Sequence, residues 1–341
     1  MRRTGRFSLV FDRSPRIESV GTIVGKTEAE GPLGQWFDIK SDDSYFMQST
    51  WEQAEAVMQQ TALRRALEKG GLDSGMLDMV FSGDLENQII ASSFGVKALS
   101  VPFVGLFGAC STMAQGLALA GLFVESGAAG RTAAVTSSHF CTAERQFRYP
   151  LEYGGQRPPT AQWTVTGAGA AIVASDELCQ NRKAPVLKAA RFGIITELGI
   201  KDIGNMGAAM APAAAEAISG FLTDTKQKPD DFDLILTGDL GEIGLALTRR
   251  LLEDDGLPTG EKIKDCGCMI YDNSKHKYGC GGSGCGCSAS VLNSMIYAKL
   301  GSGELENVLF VGTGALMSPV SVFQGEVIPA VAHAVQLSRR I

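Results

Sequence analysis

The stretch GLFGACSTMAQGLALAG, residues 105–121, joins two kinds of sequence at Cys110. Before it runs VPFVGLF, residues 101–107, an apolar segment with the length of a buried strand. After it comes an Ala- and Leu-rich segment of helical composition, expected as a helix over 111–125. A thiol at the start of a helix meets unpaired N–H groups and the positive end of the helix dipole, which lower its pKa and also bind anions. Three readings of Cys110 follow: a nucleophile for acyl transfer, the floor of an anion pocket, or a small buried residue.

Working outward, the segment 51–69 carries Trp51, Ala54, Met58, Ala62 and Ala66 at helical spacing and ends at Gly70 and Gly71. LDMVFSGDL (77–85), RTAAVTSS (131–138) and TVTGAGAAIVA (164–174) read as buried strands, the last with a glycine step. The second half echoes the first. FDLILTGDLGE (232–242) repeats LDMVFSGDLEN (77–87), and GCGCSASVLNSMIYAKL (284–300) repeats GACSTMAQGLALAGL (108–122). NVLFVGTGA (307–315) then supplies a closing strand, and MAPAAAEAISGFL (210–222) a helix. Alternating strands and helices build a sheet covered on both faces. The expectation is an α/β fold of two similar halves, 1–180 and 181–341, with mixed central sheets, layered helices and a site between the halves.

Bulk properties narrow the function classes. The 341 residues carry a net charge of −6, and no Lys/Arg run exceeds two, which argues against a nucleic-acid partner. No apolar run approaches about eighteen residues, so no transmembrane segment is expected. The opening MRRTGRFSLVF lacks the features of a signal peptide. The eight cysteines therefore read as reduced intracellular thiols. Five of them, with His276, fall in CGCMIYDNSKHKYGCGGSGCGC (266–287). The pairs there are C-x-C, expected on strands, rather than the C-x2-C of paired zinc knuckles, so no metal site is expected.

The residues also carry a resemblance. A duplicated α/β chain with a Cys opening a central helix resembles the thiolase fold, which includes thiolases and ketoacyl-ACP synthases. EGPLGQWFD (30–38), FGACSTM, SSHFCTAERQFRYPLEYGGQRP (137–158), LILTGDL and GGSGCGCSA are together similar to the stage V sporulation protein AD family. That resemblance implies a protein of sporulation and spore germination that binds dipicolinic acid (pyridine-2,6-dicarboxylate) or its calcium chelate. It implies dipicolinate transport with the other SpoVA proteins, at the forespore or spore inner membrane of a sporulating bacterium. Enzymes of the fold are commonly dimers, so a homodimer is expected by analogy.

The resemblance also implies a dismantled catalytic set. Condensing enzymes of this fold need a His and usually a second His, Asn or Cys in the C-terminal half. Here Gly238 and Asp239 stand where the first His of the synthases is expected, and Cys285 falls near their Asn. His333, in VIPAVAHAV (327–335), reads as structural. Cys110 is thus expected as a vestigial nucleophile, with no catalytic residue and no cofactor beyond a Ca²⁺ accompanying the ligand. The expected ligand contacts are Cys110, Ser138, His139, Arg145, Arg148, Asp239 and Cys285. The two arginines offer bidentate forks to a carboxylate, unless Glu144 and Glu152 pair with them. Asp84 and Asp239 read as turn caps or cation ligands, capping being favoured. The rival readings are an acyltransferase using Cys110 and a scaffold with an unused pocket.

Overall fold

The structure, a computed structural model, describes residues 1–147, 157–272, 274 and 277–340. Apolar alternation within its strands decides the layering. Val80 and Val135 point to one face of the sheet and pack with Ala54, Met58 and Ala62 of the Trp51–Gly70 helix. Phe81 and Ala134, one residue along, point to the other face and meet Met113 and Leu117. In the second half Ile235, Leu309 and Val311 face Met210, Ile218 and Phe221 of the Met206–Thr225 helix. Their neighbours Leu236 and Phe310 again face the central core. Such strands are covered on both faces, which is why they read as unbroken apolar runs.

The main sheet has thirteen strands among the described residues. Its path runs Ile263–Asp265, Leu234–Thr237, Asn307–Ala315, Ala330–Ser338 and Val186–Arg191. It continues through Arg16–Val24, Gly167–Ala174, Arg131–Ser138, Met79–Gly83 and Phe103–Gly105. The two five-strand wings repeat one pattern outward from their junction: two antiparallel steps, then two parallel ones. They join through the single pair Val186–Arg16. The helices Thr112–Ser126 and Cys285–Val291 pack in the central core between the wings, where Met113 and Leu117 meet Ala289 and Leu292. Each fully buried Leu, Ile or Phe in such a core contributes about 1.5–3 kcal/mol.

Glycines permit the close approach of those central helices. A Cβ on Gly169 would lie 2.3 Å from the carbonyl oxygen of Ala289, and one on Gly314 would lie 2.6 Å from that of Gly108. The glycine step noticed in 164–174 is thus a contact surface for the second half's central helix.

Several boundaries differ from expectation. The strand expected over 164–174 is broken: Gly167–Ala174 joins the main sheet, while Trp163–Thr164 pairs with Gly282–Ser283 in a ribbon between the halves. The N–H of Thr166 is taken by Glu28, and its carbonyl by the N–H of Gly25, so the ladder cannot run through. Cys266–Ile270 and Cys285–Val291 are helices, so the C-x-C pairs are not on strands as expected. Neighbours two apart would share a face on a strand but diverge on a helix. No group of three or more metal-ligating side chains is assembled among the described residues, and His276 lies outside them.

Candidate functional site

Cys110 stands in a short 3-10 turn, Ala109–Ser111, immediately before the Thr112–Ser126 helix. Ala109 carries φ = 50°, a left-handed conformation that costs a non-glycine residue about 1–2 kcal/mol. The Ser111 and Thr112 hydroxyls donate to the carbonyls of Gly108 and Ala109, each at 2.6 Å, and the helix start has no side-chain cap. A strained turn ahead of an uncapped helix is a construction found at functional sites.

Cys110 lies on the wall of a pocket of about 390 Å³. Leu85, Phe107 and Phe147 contribute from the first half, Met206 and Met317 from the second. The Trp163–Thr164 and Gly282–Ser283 ribbon brings in Thr164 and Ser283. None of the described wall residues is Lys, Arg or His. The described wall is therefore drawn from both halves and is mainly apolar.

Behind the wall, Cys110 meets a carboxyl group instead of an imidazole. Asp239 accepts hydrogen bonds from the Cys110 thiol, from the N–H of Gly284 at 2.9 Å and from the Thr313 hydroxyl at 2.9 Å. Burial pushes the Cys110 thiol well up, and the Asp239 charge, the neighbouring Cys285 and the bond to Asp239 push it further. The Gly284 N–H opposes this without reversing it. Burial likewise raises Asp239 to about 7, against the bonds it accepts. Where a histidine would stabilise a thiolate, this carboxyl disfavours one. Cys285, fully buried beside Cys110, donates its thiol to the carbonyl of Ser137 at 2.9 Å, and burial raises it too.

A profile of the Stage V sporulation protein AD (SpoVAD) family matches residues 5–338. The chain belongs to that family. Stage V sporulation protein AD of Bacillus subtilis (strain 168) is 43% identical over 339 residues, covering 99% of this chain and 98% of its own. Among solved structures, 3-oxoacyl-[acyl-carrier-protein] synthase III from Aquifex aeolicus VF5 superposes with a TM-score of 0.55 at 16% identity, over 95% of this chain and 99% of its own. A variant of OleA from Xanthomonas campestris gives 0.62 at 13% identity, over 96% and 100%. These likenesses establish the thiolase-like fold; at such identities they speak to fold alone.

Within this SpoVAD-family chain the expected ligand residues have different fates. Cys110 reaches the pocket wall, with Asp239 and Cys285 directly behind it. Ser138 does not reach it. Its hydroxyl donates to the carbonyl of Val165 at 2.7 Å and accepts the N–H of Gly286 at 3.1 Å, stitching the halves together. His139 is also committed elsewhere. Its Nε2–H donates to the carbonyl of Ser44 at 2.8 Å, and its Nδ1 accepts the N–H of Cys141 at 3.1 Å. Burial lowers its pKa, with the Ser44 bond opposing, so it stands as a neutral anchor for the loop before Trp51. Arg145 is half-exposed, ion-paired with Glu52 and placed over the Trp51 ring, so its fork is occupied, though not by the acids expected. Glu144 pairs instead with Arg157 at 2.6 Å. Arg148 and Glu152 lie outside the described residues.

The sequence reading missed a buried carboxyl cluster at the site's edge. Asp84 caps its turn, accepting the N–H of Glu86 at 2.8 Å and of Ser92 at 2.7 Å. Glu55 accepts hydroxyls from Ser137 and Thr142, each at 2.8 Å, and bonds to Glu86. Burial first, then the mutual charges, raise Glu55 to about 7 and Glu86 to about 9. Glu55 was illegible because a Glu in a helix usually reads as solvated. Only its partner strands show that this face of the helix is buried.

Proposed function

We propose that the pocket beside Cys110 binds dipicolinic acid without catalysis. On this reading the protein serves uptake of the ligand into the developing spore as part of the SpoVA transport complex, and its release in germination. One observation supports the non-catalytic part: the Cys110 thiol is buried beside the Asp239 carboxyl, and burial first, then that neighbour, push it well up and disfavour a thiolate. The apolar wall favours the calcium chelate over the free dianion. A dianion entering a wall whose described residues carry no cation loses hydration that those residues do not replace, whereas in the chelate the charges cancel. The chain is read as peripheral at the spore inner membrane, reached through SpoVA membrane proteins; no helix among the described residues is long and apolar enough to cross a membrane. It is read as a homodimer across the Phe103–Gly105 strand, which ends the sheet path with exposed Phe94, Phe103 and Phe107 close by.

Calorimetric titration with dipicolinate, with and without equimolar Ca²⁺, tests the ligand. Heat is expected with Ca²⁺ present and weaker or none without it. No heat in either arm, and no competition among pyridine dicarboxylates, would remove dipicolinate as the ligand. The second reading, acyl transfer from Cys110, draws on the apolar pocket and the thiol at the helix start. Intact-mass analysis after incubation with acyl-CoA tests it. An adduct absent from Cys110→Ala would replace the binding reading with the enzymatic one.

A further inference from the structure

Four of the five most exposed large apolar residues in the described chain sit in two adjoining segments: Ile195 (66% exposed) and Leu198 (66%), Val320 (65%) and Phe323 (88%). The segments, 192–205 and 316–330, are held together by hydrogen bonds. Thr196 and Ala330 exchange both hydrogen bonds, at 2.9 and 2.8 Å. The N–H of Ile328 donates to the carbonyl of Ile200 at 2.8 Å, and Lys201 Nζ donates to that of Gly325 at 2.5 Å. An apolar cluster on a braced surface is a docking feature, since isolated exposed residues need no explanation and grouped ones do.

The charge around it selects the occupant. The two segments carry Glu197, Asp202 and Glu326 against Lys201 alone, so three carboxylates and one ammonium leave two negative charges. Glu197 and Asp202 each accept a local backbone N–H, from Gly199 and Gly204, and both remain exposed. Lys201 is engaged with the Gly325 carbonyl. A second copy of this face would oppose like charges, and an anionic bilayer would repel them. Apolar protein segments flanked by Lys and Arg complement the face on both counts, and membrane proteins carry such segments on their cytoplasmic sides.

We propose that the surface formed by Ile195, Leu198, Val320 and Phe323 with its acidic rim docks an apolar, Lys/Arg-flanked segment of a protein partner. Leu316, Met317 and Ser318, leading into this surface, line the Cys110 pocket, so the partner would sit beside the ligand's pocket. The inference stands whatever that pocket binds.

Fluorescence anisotropy with a labelled eighteen-residue amphipathic Leu/Lys peptide, and with its Leu/Glu counterpart, tests it on the full chain. Binding of the Leu/Lys peptide only is expected, weakening at least tenfold in the double variant Leu198→Asp/Phe323→Asp. That variant adds negative charge, so a purely electrostatic attraction would strengthen instead. Both side chains are exposed, and an unchanged thermal midpoint checks that the variant is folded. Equal binding of both peptides, no binding, or binding unaffected by the substitutions would overturn the proposal. So would flotation with phosphatidylglycerol vesicles that the variant loses, which assigns the face to lipid. A self-association in sedimentation that the variant loses would assign it to a second copy. Dipicolinate titration of the same variant separates a failure here from a failure of the ligand reading.

Discussion

The chemistry of Cys110 turns on one neighbour. A thiol at a helix start is ordinarily easier to ionise, yet burial and the Asp239 carboxyl push this one well up. Removing the charge is expected to release it. In Asp239→Asn, alkylation of Cys110 by iodoacetamide at pH 8, followed by peptide mass mapping, should speed up about tenfold for each unit by which the thiol pKa falls. An unchanged rate would mean that burial alone keeps the thiol protonated. Asp239→His, which places an imidazole at the thiol's side, should accelerate labelling further near neutral pH. At this scale the sequence was informative but incomplete. It located Cys110 and drew attention to Asp239, yet it offered no sign that His139 and Arg145 would be taken by Ser44 and Glu52. Those partners are about a hundred residues away along the chain, and spacing cannot reveal them.

At the scale of elements, the contact between the Asn307–Ala315 strand and the Cys110 turn depends on Gly314 having no side chain. In Gly314→Ala the new Cβ would fall 2.6 Å from the Gly108 carbonyl oxygen, and backbone has to move. A loss of about 1–3 kcal/mol in denaturant unfolding is expected, as for other overpacked cores. A wild-type midpoint would show that the turn yields freely. Two strands, Arg131–Ser138 and Asn307–Ala315, have the bounds read from the sequence, because each is a short run with an apolar centre bounded by polar or small residues. The segment 164–174 was read as one strand because its composition is uniform. Its break at 165–166 is imposed by Glu28 and by the ribbon from the other half.

For the whole molecule, the Glu55, Asp84 and Glu86 cluster sets a pH dependence. All three carboxyls are raised by burial, to about 7 for Glu55 and about 9 for Glu86. A group whose folded pKa exceeds its unfolded value holds its proton more tightly when folded. Its stabilisation is therefore complete below the ordinary carboxylate range and is lost as pH rises through the folded pKa. The thermal midpoint is expected to fall between pH 5 and pH 9, and Glu86→Gln should flatten the upper part of that fall. A midpoint that rises over this range would show that the carboxyls ionise freely in the folded protein. The sheet's edge makes a second prediction at this scale. Phe94→Asp/Phe103→Asp is expected to yield monomers in sedimentation equilibrium where the unaltered chain is a dimer. A monomeric unaltered chain would remove the homodimer reading.

Local chemistry and repetition determined much of this protein. Apolar runs, glycine stops and the echo of 77–87 in 232–242 were enough to read an α/β fold of two similar halves, with Cys110 opening a central helix. These are properties of adjacent residues, and they survive in any one-dimensional record. Tertiary structure alone decided what surrounds the thiol. The pairing of Asp239 with Cys110, the apolar wall drawn from both halves, and the burial of Glu55 each join residues far apart in the chain. Such pairings follow from how the two wings close over their central helices, and closure is a packing outcome that no local pattern encodes.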